Sequence, residues 1–73
     1  MPDIRVTSDI NGRVWKIEAA VGDIVAEGDT LIILESMKTE LPVDAPASGR
    51  VKEILVAEEE TVEEGRLLAV IEA

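Results

Sequence analysis

The chain has 73 residues, too few for more than one domain and close to the lower size at which one core holds without staples. It contains no cysteine and no histidine, which excludes a disulfide framework, a thiolate metal site, imidazole catalysis and a histidine pH switch. Sixteen acidic residues against seven basic ones give a formal charge of −9, so nucleic acid and an anionic membrane surface are repelled, and the expected partners are proteins with basic docking surfaces.

The first ten residues, "MPDIRVTSDI", lack the charged and apolar regions of a signal peptide, and no apolar run approaches membrane-spanning length. These features predict a soluble, cytoplasmic protein. From Gly12 onward the chain is rich in Val, Ile and Leu, broken at short intervals by Gly, Asp and Pro, and no window sustains an apolar period of 3.6. Strands are therefore expected throughout. In "RVWKIEA", Val14 and Ile17 have the wrong spacing for one face of a strand, which predicts a bulge or a crossing between sheets. Trp15, the only aromatic residue, is expected to cover one end of the core while partly exposed. "GDIVAEGD" (22–29) holds two Gly-Asp pairs around a short apolar piece and reads as a tight doubling-back.

Next come "LIILES" (31–36) and "TELPVDAP" (39–46), two strands separated by Met37 and Lys38. Two residues between strands is the commonest hairpin connection, and its favoured turns need positive φ, which Asn and Gly accept and Met and Lys resist. A locally disfavoured choice points to the side chains as the reason for it. Lys16 and Lys52 lie inside predicted strands with their ammonium groups expected in water, whereas Lys38 alone should project from the body. Pro42 and Pro46 mark the strand after the hairpin as an edge or an irregularly paired one.

The remainder repeats what came before. Residues 12–35 fall on residues 49–72 without a gap. Ten of the 24 positions are identical: 12/49, 13/50, 14/51, 17/54, 20/57, 25/62, 27/64, 28/65, 31/68 and 35/72. A fixed offset of 37 with shared turns and shared apolar pattern predicts two copies of one unit, packed face to face as a sandwich about an approximate two-fold axis. The second copy should repeat the bulge between Val51 and Ile54. "VAEEETVEEG" (56–65) should form a loop and a short strand, with Glu58, Glu59 and Glu60 a solvated run. Gly12, Gly22, Gly28, Gly49 and Gly65 read as turn or bulge residues, since no Gly-rich motif follows a strand and opens a helix.

"ESMK" after "GDIVAEGDTLIIL", followed by "APASGRV", resembles the biotinyl (biotin carboxyl carrier) family of the biotin/lipoyl attachment superfamily. The resemblance runs from about Ile10 to Ile71, making residues 1–73 a single attachment domain. It implies an all-β fold, a flattened barrel or sandwich of two four-stranded antiparallel sheets with quasi-two-fold symmetry (a barrel-sandwich hybrid), with a lysine at the tip of a tight hairpin. That lysine maps onto Lys38 as the site of covalent biotin, with Glu35, Ser36, Met37 and Thr39 as the residues a biotin protein ligase recognises. Biotinyl domains usually carry Met-Lys-Met and lipoyl domains Asp-Lys-Ala. Ser36-Met37-Lys38 keeps the first part of the biotinyl signature, and Thr39 replaces its second methionine.

The likeness is greatest to the very short biotin/lipoyl attachment proteins of bacteria, with a domain cut from a larger carboxylase as the other reading. The gapless repeat leaves no room for the protruding insert of some bacterial carriers. The implied function is that of a carrier, not an enzyme. A ligase activates biotin as its adenylate, the Lys38 amine attacks the activated carbonyl, and the arm moves carboxylate between the biotin carboxylase and carboxyltransferase sites of a system such as an acyl-CoA carboxylase. The ligase must supply the base or the desolvation that frees the amine, because this chain has no histidine to do so. The protein is expected to be a monomer on its own. Two other classes remain open at this point: a lipoyl swinging arm, and an unmodified interaction module of the same fold.

Overall fold

In the computed structural model, which describes residues 2–73, the chain forms eight strands. In chain order they are β1 (Asp3–Thr7), β2 (Gly12–Ile17), β3 (Ile24–Val25), β4 (Thr30–Ser36), β5 (Thr39–Asp44), β6 (Gly49–Ile54), β7 (Thr61–Val62) and β8 (Leu67–Glu72). They build two four-stranded antiparallel sheets, ordered β1-β8-β6-β3 and β5-β4-β2-β7.

The offset of 37 carries β2, β3 and β4 onto β6, β7 and β8, and it also carries β1 onto β5. The repeated unit is thus longer than the alignable 12–35 and 49–72, because β1 and β5 share geometry while Val6 with Val43 is their one identical pair. Nor do the two copies stack as separate sheets. The central strands of one sheet, β4 and β2, belong to the first copy, and its edges, β5 and β7, belong to the second. The other sheet reverses this. Face-to-face packing of whole units is therefore corrected to an exchange of edge strands. No pairing joins β1 to β5, so the barrel stays open there and the fold is a sandwich.

The core is assembled in symmetry-related pairs. Val14 with Val51, Val25 with Val62, Leu31 with Leu68, and Leu34 with Ile71 are all buried. Each side chain of this size contributes roughly 1.5–3 kcal/mol by leaving water. Register shifts fall between Val14 and Lys16 in β2 and between Val51 and Glu53 in β6, so both predicted bulges are present. Each turns one residue off the ladder: Trp15, 40% exposed, and its counterpart Lys52. β5 is an edge strand, which accommodates Pro42.

The glycines divide into two groups. Gly22, Gly28 and Gly65 have φ of +97°, +93° and +89° in turns, as the sequence led one to expect. Gly12 and Gly49 are neither turn nor bulge residues. They begin β2 and β6 where the neighbouring strand passes so close that a Cβ on Gly12 would lie 2.6 Å from the Glu35 carbonyl oxygen, and one on Gly49 2.5 Å from that of Glu72. The turn carboxylates are also more engaged than a solvated run. Asp23 accepts a hydrogen bond from the Ala20 amide at 2.9 Å, and Glu60, its equivalent, accepts one from Ala57 at 3.0 Å and another from Arg66 at 2.9 Å. Glu58 accepts from the Ile17 amide at 3.2 Å. The lysines expected in water are paired as well: Lys52 with Asp3 at 2.9 Å, and Lys16 with Glu18 at 3.5 Å.

Gly49→Ala should destabilise the fold by roughly 1–3 kcal/mol through overpacking. Gly22→Ala, whose Cβ would meet open space, should lose only about 1 kcal/mol from its left-handed backbone. Urea denaturation of the two variants tests the ranking. The hydrogen bond from Ala57 and then the Arg66 guanidinium hold the Glu60 carboxyl below its ordinary value. Because the folded state binds that proton less readily than the unfolded state, Glu60 stabilises the fold above the ordinary carboxylate range, and this contribution fades as pH falls through it. The gap in melting temperature between the wild type and Glu60→Gln should therefore shrink from about pH 6 to about pH 3.

Candidate functional site

β4 and β5 pair as a hairpin from Thr30 opposite Asp44 to Ser36 opposite Thr39, with one register shift between Thr30 and Ile32 and a regular ladder from Ile32 to the turn. Two residues remain for the turn. Met37 has φ +52° and Lys38 φ +67°, the doubly left-handed geometry of a type I′ turn. The right-handed twist of the strands selects this turn, and non-glycine residues occupy it at a conformational penalty. Glu59 is the one other non-glycine residue with positive φ among the described residues.

The turn lifts both side chains clear of the body. Met37 is 95% exposed, and Lys38 is exposed too. Of the three lysines, Lys38 alone has no carboxylate within ion-pair distance among the described residues. Its Nζ is free to enter another protein's active site and to form an amide with an incoming carboxyl group. Ser36 is half-buried and Thr39 exposed, closing the turn as the last cross-strand pair. These observations fit a covalent attachment point: a primary amine on a short stalk, with its neighbours held by the ladder.

Glu35, also expected to face a ligase, is half-buried and engaged with the scaffold. It lies opposite Glu40 on one side and Arg13 on the other. The Arg13 guanidinium donates to Glu35 at 2.8 Å and reaches Glu59 at 3.1 Å. Arg13 was not singled out as a site residue by sequence reasoning, and Glu59 was read only as part of a solvated run, whereas it pairs with Arg13. The available signals were the identity of Arg13 with Arg50, and the placement of Glu59 opposite Gly22 under the repeat. Beside the hairpin, a shallow hollow of about 590 Å³ opens between Ser36, Met37 and strand β7 with Glu63. Among the described residues no group of three or more acidic side chains is arranged to hold a metal ion.

Replacing Met37-Lys38 with Asn-Gly should stabilise the protein by roughly 1–2 kcal/mol, because both new residues accept the left-handed turn. Urea denaturation of the two proteins side by side measures the strain that the native pair carries.

Residues 1–71 match the family described as "Biotin-requiring enzyme". The biotin/lipoyl attachment protein of Bacillus subtilis is 41% identical over 63 residues, covering 86% of each chain. Urea amidolyase of Saccharomyces cerevisiae is 42% identical over 67 residues, which are 92% of this chain but 4% of that enzyme, so the chain spans only a small fraction of its larger relatives. Among solved structures, the urea carboxylase of Kluyveromyces lactis superposes with a TM-score of 0.92 at 48% identity, over 97% of this chain and 6% of that one. The chain thus belongs to the biotin/lipoyl attachment family, as a biotin carboxyl carrier domain rather than a catalytic one.

Proposed function

We propose that Lys38 is the residue through which this carrier holds biotin, and that a biotin protein ligase installs it there. The observation that carries this reading is the geometry of the turn: an unpaired, projecting amine held by a backbone conformation that its own residue type disfavours. The free amine must act as the nucleophile, and among the described residues none forms an ion pair with it. Activation therefore falls to the ligase. Met37, with 95% of its surface in water, is the natural apolar contact for such a partner. Thr39 and Ser36 present the closing pair of the turn, and Glu35 contributes from below, through the strand ladder.

Bound biotin supplies the chemistry of accepting and releasing a carboxyl group. The chain's own part is delivery. The body measures 36 × 18 × 17 Å, and a rigid ladder keeps the attachment point at the end of one hairpin. Tethering raises the local concentration of the carried group at each active site that the tip can enter. Those sites are a biotin carboxylase and a carboxyltransferase, working in the cytoplasm on a protein that is monomeric by itself. The apolar residue before Lys38 favours biotin over lipoate, since the acidic neighbour of lipoyl sites is absent.

Intact mass spectrometry tests the assignment. Incubation with biotin, ATP and a biotin protein ligase should add one biotinyl group to the wild type and none to Lys38→Arg, while a lipoate ligase should leave the protein unloaded. A Lys38→Arg protein that still gains the group would place the attachment elsewhere.

A further inference from the structure

The last full row of side chains beneath the turn sets two like charges side by side, because Glu35 and Glu40 are direct cross-strand partners. Such a pair is destabilising, and here it lies where the hairpin carries its functional group. Arg13 on β2 is the next residue in the same row and binds Glu35 at 2.8 Å. The other end of the molecule repeats this contact as Arg50 with Glu72 at 3.2 Å.

The two ends then diverge. Among the described residues Arg50 has that one carboxylate partner, whereas Arg13 also reaches Glu59 at 3.1 Å. Glu59 stands where the first copy has Gly22, in the same turn, with a φ of +76° against +97°. Both residues make the same backbone hydrogen bond, Gly22 to the Val51 carbonyl at 2.8 Å and Glu59 to the Val14 carbonyl at 2.7 Å. The backbone therefore asks for a left-handed residue, and glycine meets that need at the other end. Glutamate meets it with strain, and what it adds is a carboxylate on Arg13.

We propose that Glu59 and Arg13 are positioning residues for the modification of Lys38: Glu59 braces Arg13, and Arg13 neutralises Glu35 under the turn, which holds the hairpin in register and keeps the Glu35 carboxylate away from the Lys38 ammonium. The inference rests on Lys38 as the attachment site and extends that site to two residues on other strands. Neither touches the reacting amine. Their effect passes through Glu35 and the ladder.

Ligase kinetics on four variants test it, after the wild type has been shown by intact mass to load once and Lys38→Arg not at all. Failure of that preliminary step would overturn the attachment site itself, independently of the bracing set. Glu59→Gln and Arg13→Gln should raise KM for the carrier by about threefold or more, on the scale of losing an exposed ion pair or two, with kcat little changed. Both should shift the backbone amide resonances of Met37 and Lys38. Glu59→Gly separates positioning from stability: it relieves the left-handed strain, so it should resist urea at least as well as Glu59→Gln, yet load as poorly. Arg50→Gln, at the symmetry-related end, should load like the wild type. If Glu59→Gln, Glu59→Gly and Arg13→Gln all keep the wild-type KM, or if Arg50→Gln slows loading equally, the positioning role is wrong.

Discussion

Each copy of the repeat lacks the edge strands of its own sheet and must take them from the other copy. β4 and β2 pair with each other but are flanked by β5 and β7, and β8 and β6 are flanked by β1 and β3. A single copy would expose unpaired edges and one apolar face, so neither half is expected to hold its structure alone. The exchange also explains how a 73-residue chain without disulfides forms a core: nearly every buried position in one half has a buried equivalent in the other, and the two sets meet between the sheets. The close approaches at Gly12 and Gly49 follow from the same arrangement, since they occur where a central strand passes the end of its neighbour.

That constraint fixes where a functional side chain can project. An exchanged pair of units needs a link between its halves, and the link here is the two-residue turn between β4 and β5. It leaves a central strand and returns along an edge strand, so the turn has a paired ladder beneath it and open solvent beyond. A long, mobile loop would carry a lysine equally far into water. It would not hold that lysine at a fixed height above neighbours such as Ser36 and Thr39, an arrangement that the proposed ligase would have to find. The strain at Met37 and Lys38 is small beside the core that supports it, and it falls on the residues proposed to serve the attachment.

Much of this was legible in the sequence, because the repeat is written in apolar positions that face the core in both copies. The offset of 37, the bulges near Val14 and Val51, the turn at Met37-Lys38 and the edge position of Pro42 all follow from side-chain type and spacing. The exchange of edge strands did not, since hydrophobic pattern states that a strand is half-buried but not which neighbour it pairs with. β1 and β5 escaped the repeat because edge strands keep only their inward residues: Val6 falls on Val43, but Arg5 falls on Pro42 and Thr7 on Asp44. Gly12 and Gly49 looked like turn residues because a close backbone approach leaves no local mark. Of the site, Lys38 and its neighbours were readable from the turn, whereas Arg13 and Glu59 act across strands, at separations of 22 and 46 residues from one partner to the next.

Internal symmetry also supplies a comparison that most small domains lack. Where the copies agree, as at Arg13 and Arg50, the shared residue answers a need of the fold. Where they disagree at equivalent backbone geometry, as at Gly22 and Glu59, the fold has been satisfied in two ways and something else has chosen between them. The largest disagreement is the turn itself. Under the repeat, the place equivalent to Met37-Lys38 falls at the chain ends, where the Ala73 amide donates to the Pro2 carbonyl at 3.2 Å. The pseudo-two-fold axis thus exchanges the turn with the two chain ends. In relatives such as the urea amidolyases, this unit is a few per cent of a much longer chain. A domain tethered through one pole of such an axis keeps the other pole unobstructed, and the duplicated sheet makes that separation a property of the fold rather than of a linker.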